Sequence, residues 1–274
     1  MRRICLTAIM NVSQCSNYHS GKFPQEMATV TRPPRGFLDR LIAALQQDEF
    51  VLYQQSIIAV AMPSRVGLFQ EIFVRYKEED SKLLPPGAFL PILEECYLLP
   101  YLDRWVVNRL ARWARESQSR KPIPETTRSN INLSGQTLAD PHFGSYVRKY
   151  VDGSYLANGA LAFEVTWTDA LDHLEALQRL MTELRRHGCA LTLAGIDGSD
   201  RSIEVLKSAA PDFVKFNAVS IPVEQISEIH RHCQRLGAKT IAEHVETPKT
   251  LEQLRQIKID FAQGIGIKPV APLI

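Results

Sequence analysis

The sequence predicts an α/β fold, an irregular (β/α)8 barrel of the TIM type whose first strand runs antiparallel to the second. Two observations carry this. From Phe37 onward, short apolar runs alternate with amphipathic segments of helical spacing, the pattern of helices wrapped around a mostly parallel sheet. The exception lies at the start, where the strand-like runs 50–58 and 68–76 are separated only by Met62-Pro63-Ser64-Arg65 and a few neighbours. That is too short for a crossover helix, so these two strands must pair antiparallel.

Taken in order, Phe37 to Leu45 has helical spacing and delivers the chain into the first strand. After the second strand, 89–97 and 99–115 read as helices, and Asn130-Ile131-Asn132-Leu133-Ser134 as a third strand ending in polar residues. A helical pattern through 140–150 leads to the fourth strand, Leu161 to Thr166. One long amphipathic helix, Asp169 to His187, leads to the fifth, Ala190 to Leu193. Phe213 to Phe216, Thr240 to Ala242 and Ile259 to Ala262 complete eight. The stretch from Lys239 to Thr247 is the most informative: it climbs out of a helix ended by Gly237, carries Glu243 at its far end, and turns into a helix opening at Pro248. An acid at the carboxyl end of a barrel strand stands where such folds keep their chemistry.

The chain has 274 residues, 45% hydrophobic and 23% charged, enough to bury a substantial core. Its net charge of +2, with acids and bases balanced, leaves no footprint for DNA, RNA or a membrane surface. No stretch approaches the roughly 18 apolar residues of a membrane span. Five widely spaced cysteines without a CxxC pair suggest free thiols and a cytoplasmic setting. Residues 1–35, ending in Arg32-Pro33-Pro34-Arg35, are expected to be a loose leader or linker, and 36–274 the barrel domain.

Six strands carry a polar residue where an apolar one would be expected: Glu71, Asn132, Glu164, Lys215, Glu243 and Gln263. Each has a structural explanation taken alone. A strand Glu commonly faces solvent, Asn132 and Ser134 suit helix caps, and a Lys can snorkel from an edge. Repeated over six strands converging on one mouth, they supply what a hard-cation and phosphate site needs.

The same residues carry a resemblance to the EAL domain of bacterial cyclic di-GMP phosphodiesterases, from about Phe37 to Pro272. Its ordered matches are Leu52-Tyr53-Gln54-Gln55, Glu71-Ile72-Phe73 with Arg75, Phe89-Leu90-Pro91, Asn132-Leu133-Ser134, Phe163-Glu164-Val165-Thr166, Val214-Lys215, Ala242-Glu243-His244-Val245-Glu246-Thr247 and Gln263-Gly264. The resemblance implies the EAL fold. It implies that Glu71, Asn132 and Glu164 hold Mg2+ or Mn2+, that Arg75 faces a phosphate of cyclic di-GMP, and that Lys215 and Glu243 position and deprotonate the attacking water. Gln55, Glu246 and Gln263 would line the ligand. It also suggests a homodimer, paired through helices near the loops after the fifth and sixth strands.

The departures point the other way. Where the family has two adjacent metal-bridging aspartates after the fifth strand, this chain reads Leu193-Ala194-Gly195-Ile196-Asp197-Gly198-Ser199. The acid expected after Thr166 is Trp167, and Phe73 replaces the signature Leu. Asp197 precedes Gly198 and suits an Asp-Gly turn with Ser199 or Asp200 capping the next helix. Two close cations need several anionic ligands, so a single weakly held ion, or none, is expected. Three readings stand: a degenerate EAL domain that binds cyclic di-GMP or a protein partner without efficient hydrolysis, an active phosphodiesterase giving linear pGpG, and a protein-interaction domain that binds no nucleotide.

Overall fold

The computed structural model describes residues 36–62, 69–78, 82–120, 127–151 and 156–273. The expected leader, 1–35, and the connection around Ser64 lie outside them. Helix α1 (Phe37–Gln47) leads into β1 (Phe50–Ala59) and β2 (Phe69–Lys77), followed by the two-residue β3 (Leu83–Leu84), α2 (Leu90–Glu95) and the long α3 (Leu99–Arg120). The alternation then becomes regular: β4 (Arg128–Asn132), α4 (Gly135–Leu138), α5 (Phe143–Val151), β5 (Leu161–Thr166), α6 (Trp167–Asp172), α7 (Leu174–Leu184) and β6 (Ala190–Ala194). It ends with α8 (Asp200–Ala209), β7 (Phe213–Asn217), α9 (Val223–Leu236), β8 (Lys239–Glu243), α10 (Pro248–Gln256), β9 (Phe261–Ala262) and β10 (Ala271–Pro272).

Eight strands close the barrel in the order β1-β2-β4-β5-β6-β7-β8-β9, with β3 and β10 as short additions on β2 and β1. Strand β1 runs antiparallel to both of its barrel neighbours, pairing Gln55 with Glu71 on one side and Ile58 with Ala262 on the other. The other neighbouring pairs, β2–β4 through β8–β9, are parallel. The expected hairpin start and irregular barrel are therefore both present.

The helices are set by caps the sequence supplies. Ser199 accepts from the amide of Ser202 at the start of α8, and Thr247 from that of Thr250 at the start of α10, where Pro248 fills the first turn. Gly237 ends α9 with φ of 74°, a left-handed conformation that costs glycine little. Buried Leu177, Leu180, Met181 and Leu184 give α7 its inner face, packed on Phe163, Leu191 and other outward residues of the barrel wall.

Two elements depart from expectation. The single helix over 169–187 is two, broken at His173, whose φ of −128° leaves the helical region. Ala170, Leu174 and Leu177 stay in phase across the break, so hydrophobic spacing does not reveal it. The last barrel strand is only Phe261–Ala262, because the Ile259 amide turns back to the Leu254 carbonyl and Asp260 is spent on the amide and hydroxyl of Thr240.

Inside the barrel, Ile57, Phe69, Ala162, Ala190, Phe213 and Ile241 form an apolar floor against which Phe261 packs. Strand side chains alternate faces with period two. The next inward position on each of these strands, two residues toward the mouth, is Gln55, Glu71, Glu164, Thr192, Lys215, Glu243 and Gln263 in turn. A polar ring thus lies directly on an apolar plug.

Candidate functional site

The ring is organised around one ammonium. Lys215 is 1% exposed, and its Nζ lies 2.5 Å from Oε2 of Glu71, 3.1 and 3.0 Å from Oε1 and Oε2 of Glu164, and 3.6 Å from Oε2 of Glu243. This is not a lysine snorkelling from an edge. Glu71 also accepts from Asn132 Nδ2 at 3.0 Å and from Gln263 Nε2 at 2.7 Å. The Gln263 amide shares that nitrogen with Oε1 of Gln55 at 3.0 Å, and Gln55 in turn donates to the Lys268 carbonyl at 2.9 Å. The Oε1 of buried Gln263 has no partner, which leaves one acceptor inside the ring for a donor from outside the chain.

One positive charge is shared by three acids, and Glu71 and Glu164 shift in opposite directions. Burial works against ionisation of Glu71, yet the Lys215 charge and the hydrogen bonds from Lys215, Asn132 and Gln263 hold its carboxyl below the usual range. Burial raises Glu164, the nearby Glu71 charge adds to it, and Lys215 offsets only part, so Glu164 is pushed up to about 8. Burial disfavours the Lys215 cation, but the surrounding glutamates, Glu164 first, more than reverse this and raise its pKa.

The ring contains members that the sequence reading missed. Asn130 donates to Oε2 of Glu164 and accepts at 2.9 Å from Thr192 Oγ1, tying β4, β5 and β6 together behind the carboxylate. Their signal is positional: both occupy the strand position facing Glu164 one step above the floor. A third missed residue, buried Asp103 on α3, accepts from the Ser134 amide at 3.0 Å, the Ser134 hydroxyl at 2.8 Å and the Thr137 hydroxyl at 2.6 Å. It fastens the turn that follows Asn132, where Ser134 caps α4 as expected.

Toward the mouth, Arg75 follows Phe73 on the inward face of β2. Its guanidinium carbon lies 5.7 Å from the Tyr53 ring centre and 5.8 Å from that of Phe73, while Nη1 donates to the Val74 carbonyl at 2.9 Å. Two aromatic faces and one carbonyl fix its fork. Glu243 ends β8, where His244 takes a left-handed φ of 60°, a strained turn for a residue with a β-carbon. The following loop nests closely against the one after β9: a β-carbon at Gly264 would lie 2.2 Å from the Val245 oxygen and one at Gly266 2.2 Å from that of Glu246. Glu246 itself is exposed on the rim.

At the end of β6, buried Ala194 and exposed Gly195, the latter with φ of 74°, present no side-chain oxygen. Asp197 turns away into the expected Asp-Gly turn, its Oδ1 taking the Ser199 amide at 3.0 Å and hydroxyl at 2.7 Å. Among the described residues, no group of three His, Cys, Asp or Glu side chains stands in a metal-holding arrangement.

The sequence signature of the EAL domain matches residues 38–269. This chain belongs to the EAL domain family. Among curated relatives, the EAL domain is 28% identical over 245 residues to "Cyclic di-GMP phosphodiesterase PdeF" of Escherichia coli (strain K12), covering 86% of this chain and 32% of that protein. It is 24% identical to "Cyclic di-GMP phosphodiesterase PdeB" of Shewanella oneidensis, covering 85% and 28%. The chain thus spans under a third of these relatives' length. In fold it is similar to the Xanthomonas citri FimX EAL domain in complex with c-diGMP, with a TM-score of 0.77, 22% identity, and coverage of 87% of this chain and 94% of that one. The FimX EAL domain from Pseudomonas aeruginosa bound to c-di-GMP gives 0.75 at 21% identity, covering 85% and 96%. No helix among the described residues is long and apolar enough to cross a membrane.

Proposed function

We propose that this EAL domain is a module of cyclic di-GMP signalling that binds the dinucleotide, or a protein partner, without hydrolysing it efficiently. The observation that carries the reading is the carboxyl end of β6, where Ala194 and Gly195 stand in place of two acids and Trp167 lies against the gap. The convergent side chains of Glu71, Asn132 and Glu164 suit one hard cation, Mg2+ or Mn2+, but with no oxygen from β6 they do not fit a pair. When bound, such an ion would supply an activated water and neutralise charge on a phosphate.

The chain's own residues are suited to holding the ligand. Arg75 is positioned as a planar fork for a phosphate, a contact that needs no metal. Glu243 and Lys215 would orient a water or ligand hydroxyl above the ring. Gln263 offers its free Oε1 and Gln55 steadies it, while Glu246 lines the rim. A protein partner or a second copy of the domain would engage through surfaces outside the ring.

A second reading, an active cyclic-di-GMP-specific phosphodiesterase, is favoured by one observation: Glu71, Asn132, Glu164, Lys215 and Glu243 all converge in the barrel mouth. Calorimetric titration with cyclic di-GMP, with and without Mg2+, tests the proposal. Metal-independent binding is the expected result. No measurable binding would replace it with a protein-interaction domain that takes no nucleotide.

A further inference from the structure

We infer that Asn130, held in place by Thr192, is a positioning residue that fixes Glu164 as a one-oxygen ligand for a divalent cation. Asn130 and Thr192 are both fully buried and stand on the strands either side of Glu164, β4 and β6. Thr192 gives its hydroxyl proton to Oδ1 of Asn130 at 2.9 Å, and the amide presents its NH2 to Oε2 of Glu164 on the other side. A flipped amide would set its oxygen against that carboxyl oxygen, so the threonine decides which way Asn130 faces. The amide keeps Oε2 engaged and the plane of the carboxyl fixed, and Oε1 is the oxygen left for an ion.

Lys215 reaches both oxygens of Glu164 as well, at 3.1 and 3.0 Å. Its ammonium sits on a flexible four-carbon stem and can shift to share the carboxyl with an ion. The Asn130 amide has no such freedom, because burial and a hydrogen bond on each side hold it. The direction of Glu164 matters because few ligands remain. With Ala194 and Gly195 at the end of β6, Glu71, Asn132 and Glu164 are the side chains placed to hold a cation, and water would fill its other positions. Groups that orient a ligand commonly carry roughly ten- to a hundredfold of a site's metal affinity. The inference rests on the reading of those three side chains as a site for one cation, and its test contains no nucleotide.

The experiment is Mn2+ titration of the whole chain by calorimetry, at a temperature well below the melting point of every variant. The native protein should take up a single Mn2+. Asn130→Ala and Thr192→Val should each weaken that binding by roughly tenfold or more, and Thr192→Ser, which keeps the hydroxyl, should bind as the native chain does. Because Thr192 acts through Asn130, adding Thr192→Val to Asn130→Ala should weaken binding no further. Two residues with a merely structural role would lower the melting temperature and leave the Mn2+ affinity of the folded protein unchanged. Thr192→Val, close in shape to the native side chain, carries the test if Asn130→Ala does not fold. Native affinity in a folded Asn130→Ala or Thr192→Val overturns the inference and leaves the one-cation reading standing, as does a Thr192→Ser that binds as weakly as Thr192→Val. A native chain that takes up no Mn2+ overturns both.

Discussion

Trp167 lies against Gly195: a β-carbon at position 195 would meet Cδ1 of the indole at 3.7 Å, an ordinary contact, but the backbone there is left-handed with φ of 74°. The two positions that lack acids are therefore not equivalent. Ala194 is a regular strand residue paired with Thr166 and can take an aspartate directly. An aspartate at 195 carries a conformational cost of about 1 kcal/mol. Ala194→Asp with Gly195→Asp should give a melting temperature that rises with Mg2+, with Trp167→Glu adding to the effect. Any gain in hydrolysis should be partial, because the shell supporting the new acids was not built for them. Unfolding curves with and without Mg2+ check this, and an unchanged melting temperature would mean that the end of β6 does not face the site.

Arg75 gives a prediction about affinity. Its fork is fixed between Tyr53 and Phe73, so little order remains to be lost when a phosphate docks. Arg75→Ala should weaken cyclic di-GMP binding by at least ~1.5 kcal/mol, the range of a charge-assisted hydrogen bond. Arg75→Lys should fall well short of the native affinity, since a point charge does not replace a fork. Calorimetry reads both variants, and native affinity in Arg75→Ala would place the ligand elsewhere.

Glu164 predicts a pH dependence. Its folded-state pKa, about 8, lies above the ordinary 4.5, so the folded protein keeps a proton that the unfolded chain releases. The stability linked to that proton is complete below about 4.5 and is lost as pH rises through about 8. Glu164→Gln retains the neutral form and should flatten the fall of melting temperature across this window. Glu71 is shifted the opposite way, and its contribution is lost on acidification instead. Identical pH profiles for native and Glu164→Gln protein would contradict this assignment.

Much of this site could be read in the sequence because a charged residue inside an apolar strand is costly unless paired. Glu71, Glu164 and Lys215 stand out on that ground alone, and the fold brings all three together although Glu71 and Lys215 are 144 residues apart. Asn130 and Thr192 did not stand out, since Asn at a strand start and Thr within a strand are unremarkable until the floor beneath them is known. The break at His173 and the shortness of β9 were hidden for a related reason. The end of β9 is decided by the tertiary hydrogen bonds of Asp260 to Thr240, and the backbone at His173 leaves the helix while the apolar spacing stays in phase, so neither leaves a trace in local periodicity. That Lys215 stands at the centre of the ring follows only from distances.

The most direct test of the whole account is turnover of cyclic di-GMP by the purified chain in Mg2+ or Mn2+, followed by chromatography. The account predicts that the cyclic dinucleotide is recovered intact, with linear pGpG no higher than background. Turnover on the order of one per second or faster, ordinary for an enzyme, would contradict it and make the site an active phosphodiesterase despite Ala194 and Gly195.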